Sequence, residues 1–361
     1  MFKISNSFVL IIFLLSFFRV FFFNTVFSQL QILSELLSLI SLLYLCFKVK
    51  FEKYEINILY VLISTLAISF FLLDTKNFFL SSKNIFSAFL PLLVFPKLKF
   101  DKKFGRKIFD IFFLMNISLT ILFYVFNIKI SFFPENPLKV ASGYGGLFQN
   151  FHYNAFILGV YGITIFRKIN LKSLIVGLSI FFTYSKTSFV SYVSSLFFIN
   201  IDYFFIKIKQ ISLNTYKNIR FFLFIIFLII IFTNLKNIEN LLSLYTIFAD
   251  DYSPYVIFDH LTSTYLIKNS FSIFPGNVED FYQLTVYSEL IDKWIGNEVG
   301  IFMYIKTFGI FNFISLCFLL FKKFRKLIIF FFLTSLHYSY LFSPLVYLVY
   351  FVYSDQNESL D

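Results

Sequence analysis

The sequence predicts an all-α polytopic integral membrane protein with about eleven transmembrane helices and one long outer loop. Of its 361 residues, 58% are hydrophobic and only 14% are charged, which is more apolar surface than a soluble domain buries. Apolar runs recur along the chain at roughly the 20-residue length that a helix needs to cross the hydrocarbon core. One long stretch, residues 236–297, is polar and acidic instead.

The predicted spans are apolar runs joined by short, mostly basic connectors. They cover residues 7–23, 27–47, 56–73, 78–95, 108–127, 151–166, 171–182, 187–206, 219–235, 298–321 and 327–353. Runs of this length favour helices, since the strands of a membrane barrel alternate over about ten residues. The 171–182 run is short, and the last run contains His337 and Pro344, which predict a kink or a split. The first run has no small-residue cleavage site and is predicted to be a retained helix.

Basic residues predict the orientation of these helices. With the N-terminus in the cytoplasm, the cytoplasmic connectors hold 21 Lys and Arg, and the outer side holds 8 when Lys83, near the outer end of the fourth span, is counted with it; Arg19 and Lys306 lie within spans. This asymmetry is what the positive-inside rule expects. The predicted organisation is helices one to nine over 1–235, an outer loop over 236–297, C-terminal helices over 298–353 and a polar tail over 354–361. The basic excess then faces anionic headgroups, so no nucleic-acid partner is expected.

Positively charged residues on the outer side are exceptions to this rule and need a reason. Lys186 lies in the short turn Ser185-Lys186-Thr187-Ser188, which opens a predicted helix. Backbone N–H groups, hydroxyls and an ammonium together suit one anion, so this turn predicts a phosphate site. For Lys139 the alternative is snorkelling, in which the ammonium simply reaches water. His152, at the outer end of the sixth span, is either a packing residue or a substrate-binding one.

The outer loop combines carboxylates with aromatic rings. Together with Glu298 at its end, residues 236–298 hold three lysines and nine acids, a net charge of −6, with six tyrosines and the only tryptophan. Carboxylates bind sugar hydroxyls and rings stack on sugar faces, so a glycan site is one reading of this loop. A solvated loop with amphipathic turns is the other. The pair Asp250-Asp251 could hold a divalent ion, but two carboxylates are not a specific signal.

Two ionisable residues flank the start of the tenth span. Glu298 lies at its outer end, and Lys306 lies eight residues later, about two helical turns deeper. An ionisable side chain within a span is a functional candidate by default. The alternative for Lys306 is a structural ion pair with an acid.

Three segments together resemble the O-antigen polymerase and ligase superfamily of bacterial membrane glycosyltransferases. Gly146-Leu147-Phe148-Gln149-Asn150 resembles the family's Gly-Leu-Phe-x-Asn helix start, and Ser185-Lys186-Thr187-Ser188 resembles its Ser-Arg-Thr/Gly-Ala turn. Pro275-Gly276, then Asn297-Glu298 and Gly309, resemble its long periplasmic loop and the helix that follows. The resemblance covers roughly residues 140–320.

The resemblance implies an oligosaccharide repeat-unit polymerase in the bacterial cytoplasmic membrane. Such an enzyme extends O antigen or capsule from undecaprenyl-pyrophosphate-linked repeats, without metal or cofactor, beside a flippase and a chain-length regulator. Three lysines would neutralise the pyrophosphate and one carboxylate would act as general base. The candidates are Lys186, Lys139 and Lys306 for the anion, Glu298 for the base, and His152 and His260 for substrate binding.

The chain departs from the family pattern at several positions. Lys186 stands where the family's turn has Arg, His260 lies near the usual loop Arg, and Glu298 replaces the His typical of ligases. An acid at that last position looks more like a polymerase. Other classes stay open: a flippase for lipid-linked oligosaccharides, a polyprenyl-phosphate-sugar transferase, and an ordinary transporter or structural membrane protein. The transferase would carry catalytic acids in its first outer loop, and that loop, about Asn24 to Val26, has none.

Overall fold

We describe a computed structural model of the chain. It describes residues 2–21, 28–128, 144–148, 150–165, 170–208, 271–276, 285–288, 293–296, 300–335, 340–341 and 343–354. The sequence-predicted span 219–235, most of the outer loop and all of the polar tail except Ser354 lie outside these residues.

The described residues are almost entirely helical. The helices are α1 (Asn6–Phe21), α2 (Ser28–Lys48), α3 (Lys53–Leu72), α4 (Thr75–Val94), α5 (Lys102–Val125), α6 (Phe151–Ile165), α7 (Leu171–Phe182), α8 (Lys186–Ile208), α9 (Gly300–Phe308), α10 (Ile310–Lys323), α11 (Ile328–Thr334) and α12 (Pro344–Tyr353). Short 3-10 turns cover Phe95–Lys97, Gly146–Phe148 and Arg325–Leu327. The strands are β1 (Phe2–Lys3), β2 (Leu98–Lys99), β3 (Thr285–Ser288) and β4 (Lys293–Gly296). Strands β1 and β2 pair in parallel, and β3 and β4 pair antiparallel.

Several of these helices have the length and composition of membrane spans. Within the described residues, α2, α3, α4 with its 3-10 extension, and α5 qualify singly, and α9 with α10 would make a fifth span if the bent pair is one. Further apolar helices are shorter, among them α6, α7 and α12. The all-α membrane class is therefore supported, and the count of eleven spans stays a prediction.

The two C-terminal predicted spans are both divided. Residues 298–321 are predicted as one helix, but α9 and α10 meet at Gly309 with a bend of 119°. Gly309 has φ +74° and ψ 155°, a conformation that is open essentially only to glycine. The 327–353 run divides into α11 and α12, and Pro344 opens α12, so the predicted split is confirmed. Proline suits that first position because its missing N–H has no partner to lose there.

Burial separates central helices from peripheral ones. The helices α6 and α12 are apolar on every side. Nearly every residue of α6 and all but the last residue of α12 are buried. In the most apolar 18-residue stretch of α4, 67% of the residues are buried, against 28% in the corresponding stretches of α2, α3 and α5. A helix that is apolar all round but exposed on one side suits lipid contact on that side. We infer that α4, α6 and α12 form the centre and that α2, α3 and α5 face lipid.

One end of the bundle gathers the basic connectors. There β1 lies beside β2, and the fully buried Glu55 carboxylate on α3 lies 2.8 Å from Lys97 Nζ and also pairs with Lys323 of α10. Lys102 donates to the Ser354 carbonyl at the end of α12. The N-terminus, the α4–α5 connector and the ends of α10 and α12 therefore share one end. Alternation of the eleven predicted spans requires this of the first three but puts the end of α12 at the opposite end. The division of the 327–353 run into α11 and α12 accounts for the difference. That this end is cytoplasmic stays a prediction.

Candidate functional site

The start of α6 is fixed by a buried polar cluster. Gly146 has φ +54°, and a Cβ there would lie 2.5 Å from Thr120 Oγ1 and 2.6 Å from Asn116 Oδ1. Asn116 Oδ1 accepts from Leu147 N at 2.9 Å, and Asn116 Nδ2 donates to Asn154 Oδ1 at 2.6 Å. Buried amides of this kind are stable only when they are paired. Only glycine therefore fits at position 146, beside side chains that hold the turn.

Asn150 and Phe148 complete this turn. Asn150 is the N-cap of α6, because its Oδ1 accepts from Tyr153 N at 2.9 Å, and Tyr340 OH also lies 3.3 Å from that oxygen. Phe148 is fully buried, with its ring centroid 5.6 Å from that of Phe112 and 5.0 Å from that of Tyr153. Gly146, Phe148 and Asn150 thus have a structural explanation: they stabilise the turn that leads into the central helix α6.

His152 lies against the turn that precedes α8. Its Nδ1 is 3.2 Å from Ser185 Oγ, and Ser185 Oγ donates to Ser188 Oγ at 3.0 Å. This arrangement leaves the Ser185 oxygen to accept from a protonated Nδ1. Lys186, the first residue of α8, is 9% exposed. Its backbone N–H donates a hydrogen bond to the Tyr184 carbonyl oxygen at 3.1 Å. Packing of α6 against α8 thus brings together two residues predicted to bind substrate.

Tyrosines form one wall next to this turn. Tyr184 has φ +64°, and its ring centroid lies 5.3 Å from that of Tyr144, whose hydroxyl donates to Asn127 Oδ1 at 2.7 Å. Burial raises the pKa of Tyr184 to about 12, so this hydroxyl stays protonated at neutral pH. The wall therefore supplies rings and hydroxyl protons, both of which suit a polar ligand with apolar faces.

Lys306 lies beside a piece of the predicted outer loop. The segment Phe271–Gly276 packs at the break between α9 and α10: Gly276 N donates to the Lys306 carbonyl at 2.9 Å, and Ile310 N to the Ser272 carbonyl at 2.8 Å. Ser81 Oγ on α4 donates to the Gly276 carbonyl at 2.9 Å. These hydrogen bonds satisfy backbone N–H and C=O groups that the 119° bend would otherwise leave without partners. Irregular backbone within a membrane domain requires such pairing.

Substitution of Gly309 tests this junction. A Cβ at this position would lie 2.6 Å from both the Ile273 carbonyl oxygen and the Phe274 carbonyl carbon, and φ is positive. We expect Gly309→Ala to destabilise the protein by about 1–3 kcal/mol, from backbone strain alone. Thermal unfolding in detergent measures the change. Gly177→Ala on α7 is the matched control, because its Cβ would approach only the Tyr192 ring, at 3.3 Å; equal stability of the two variants would contradict this account.

The predicted site residues divide into two groups. His152 and Lys186 come together, and Lys306 lies beside Pro275-Gly276. Lys139, His260 and Glu298 lie outside the described residues, so their roles stay predictions. The cluster of Asn116, Thr120 and Asn154 was not predicted from the sequence. The spacing of Asn116 and Thr120, four residues apart inside an apolar run, places them on one helix face and is the signal that would have found two of them.

The fold and this site together define an α-helical integral membrane protein with a broken helix near one end of its bundle. Comparison with protein-family models, with curated proteins and with solved structures gives no match for this chain.

Proposed function

We propose that this protein polymerises undecaprenyl-pyrophosphate-linked oligosaccharide repeat units into a surface polysaccharide, O antigen or capsule, at the outer face of the bacterial cytoplasmic membrane. The observation that carries the proposal is the contact between His152, just after the Gly146–Asn150 turn, and the turn that bears Lys186. These are two of the three segments that resemble the polymerase and ligase superfamily. Their contact brings a histidine and two serine hydroxyls together next to Lys186 in the sequence, a combination of residues that suits a phosphate group.

The proposed reaction joins the growing glycan to the next repeat. A hydroxyl at the non-reducing end of the incoming repeat attacks the anomeric carbon of the growing chain. A new C–O bond forms there, the bond to the carrier's pyrophosphate breaks, and the anomeric centre inverts. Glu298 takes the hydroxyl proton as general base. The electron pair leaves with undecaprenyl pyrophosphate, which Lys186 neutralises, together with Lys139 and Lys306.

Pyrophosphate is already a good leaving group, so neutralisation and orientation are the main tasks of the protein. A preorganised donor at a developing negative charge contributes about 10²–10³ in rate in comparable sites. Lys186 suits this role because the hydrogen bonds of the Ser185–Ser188 turn, and its burial, fix its position before substrate arrives. The outer loop, with His260 and its aromatic residues, would hold the glycan, and the docked segment Phe271–Gly276 ties that loop to the bundle.

A flippase or other transporter for lipid-linked oligosaccharides is the second candidate. That class is expected to carry charged residues along its central spans. The ion pair between Glu35 on α2 and Lys83 on α4, with 2.9 Å between Oε2 and Nζ, puts one such charge on a central helix, α4. The polymerase proposal gives this pair no role.

Reconstitution distinguishes the two candidates. Purified protein in liposomes is supplied with lipid-linked repeat units isolated from cells that lack it. The polymerase proposal expects a ladder of lengths on gels, with one carrier pyrophosphate released for each bond formed. Movement of single repeats across the bilayer without a ladder, followed with a membrane-impermeant glycosidase, would instead identify a flippase.

A further inference from the structure

Within the described part of the chain, two of the serines inside the bundle, Ser38 and Ser87, lack the side-chain hydrogen bond that neighbouring serines make. Serine hydroxyls in these helices commonly donate to the carbonyl one turn earlier, as Ser34 does to Leu30 at 2.7 Å and Ser41 to Leu37 at 2.8 Å. Ser38 on α2 and Ser87 on α4 are each 1% exposed, yet neither hydroxyl has a hydrogen-bond partner among the described residues. A buried hydroxyl without a partner is costly, so each such group calls for an explanation.

The ion pair Glu35–Lys83 fixes how α2 and α4 lie against each other. Both helices end at the end of the bundle where Glu55 binds Lys97, so they run in the same direction. Ser38 follows Glu35 by three residues and Ser87 follows Lys83 by four. Residues three or four apart share a helix face. Both serines therefore lie on the facing sides of α2 and α4, one turn further along than the ion pair.

Apolar side chains close this polar seam at the end nearer to Glu55 and Lys97. Leu42 follows Ser38 by four residues and is fully buried; Leu90 follows Ser87 by three and is 2% exposed. At the other end, the Glu35 side chain is 8% exposed and that of Lys83 is 31% exposed. A pair of charges this sheltered loses much of its hydration, which its own attraction only partly restores. The seam thus combines a sheltered carboxylate with two orphaned hydroxyls.

We propose that the seam between α2 and α4 holds a bound internal water, which bridges the Ser38 and Ser87 hydroxyls and reaches the Glu35 carboxylate. A buried water typically makes about three hydrogen bonds to polar groups that would otherwise lack partners, and these three groups provide them. Water suits this site because a single small molecule must both donate and accept hydrogen bonds there. The site is independent of the proposed polymerase activity.

A double-mutant cycle tests the proposal by the sign of its effects. With a bridging water, Ser38→Ala and Ser87→Ala each remove one hydrogen bond to the water and leave the water and the other serine with too few partners. Each variant therefore lowers the thermal midpoint of unfolding by about 2 °C or more. The double variant expels the water, so its loss is smaller than the sum of the two. Ser41→Ala on α2, whose hydroxyl already has a partner, corrects for the helix preference of alanine. In a dry seam both single variants would raise the midpoint relative to this control, and their effects would add, which would overturn the proposal.

Radiolytic labelling provides a readout that does not depend on stability. Hydroxyl radicals formed from a bound water label side chains in contact with it, even where bulk solvent does not reach. Leu42 is expected to be labelled in the native protein and to lose most of that label in the Ser38→Ala/Ser87→Ala variant. Leu45, also fully buried but nearly one turn further from the seam, serves as the internal reference. A Leu42 label no greater than that of Leu45 in the native protein would contradict a water at this position.

Discussion

Replacing Glu298 with glutamine is expected to lower the rate of glycan joining by about 10²–10⁴-fold, the usual contribution of a general base. The amide keeps the shape of the side chain and much of its hydrogen bonding but cannot take the acceptor's proton. Binding of the lipid-linked repeat should therefore survive. Cells should accumulate single repeats on the carrier or on surface lipid, without a ladder, and gel analysis of the polysaccharide measures this.

A structural role for Glu298 predicts a different outcome. A carboxylate at a helix N-terminus contributes about 0.3–1 kcal/mol, so its loss as a cap would lower stability slightly and leave the ladder intact. Glu289→Gln, the same chemical change elsewhere in the acidic loop, is the matched control. A normal ladder from Glu298→Gln at wild-type protein level would remove this residue from the mechanism.

Replacing Lys186 with alanine is expected to abolish chain extension while protein level and membrane insertion stay unchanged. The change removes the ammonium that is proposed to neutralise the leaving pyrophosphate, which we expect to cost about 10²–10³ in rate. Lys186→Arg should keep activity, since the charge is retained and the resembling family has Arg in this turn. The length distribution of the polysaccharide measures both variants.

A second lysine separates a specific role from a general loss of positive charge. Lys76 lies in the first turn of α4, on the side that the charge pattern assigns to the outside, and Lys76→Ala should leave the ladder unchanged. If Lys186→Ala still makes long polymer, Lys186 is only a residue that extends its charge to the membrane surface. If both lysine variants fail equally, net charge at this surface rather than the turn is what matters.

Helix positions could be predicted from the sequence because apolar runs of membrane length mark them directly. The predicted run 151–166 corresponds to α6 and the run 171–182 coincides with α7. The bend at Gly309 could not be predicted in this way. Its cause is the docking of the distant segment Phe271–Gly276 against Ile310 and Lys306, and hydropathy along a single run carries no information about such a contact.

The candidate site was only partly predictable for a related reason. Residue type and position in short motifs pointed to His152 and Lys186 separately. Their contact through Ser185 depends on how α6 packs against α8, which no local pattern encodes. Asn116 and Asn154 pair across two helices, and each alone reads as an ordinary polar residue within an apolar run. Pairing between spans is therefore the information that the sequence pattern lacks.

The buried carboxylate of Glu55 has a consequence for how the protein is assembled. During synthesis α3 and α4 enter the membrane long before α10, so Glu55 first meets only Lys97. Its second partner, Lys323, arrives when the chain is nearly complete. A carboxylate with one of two charge partners is less stable in a sheltered position. The ion pair of Lys323 with Glu55 thus connects the last helices to the first ones late in synthesis. A chain truncated before α10 would insert into the membrane without this ion pair.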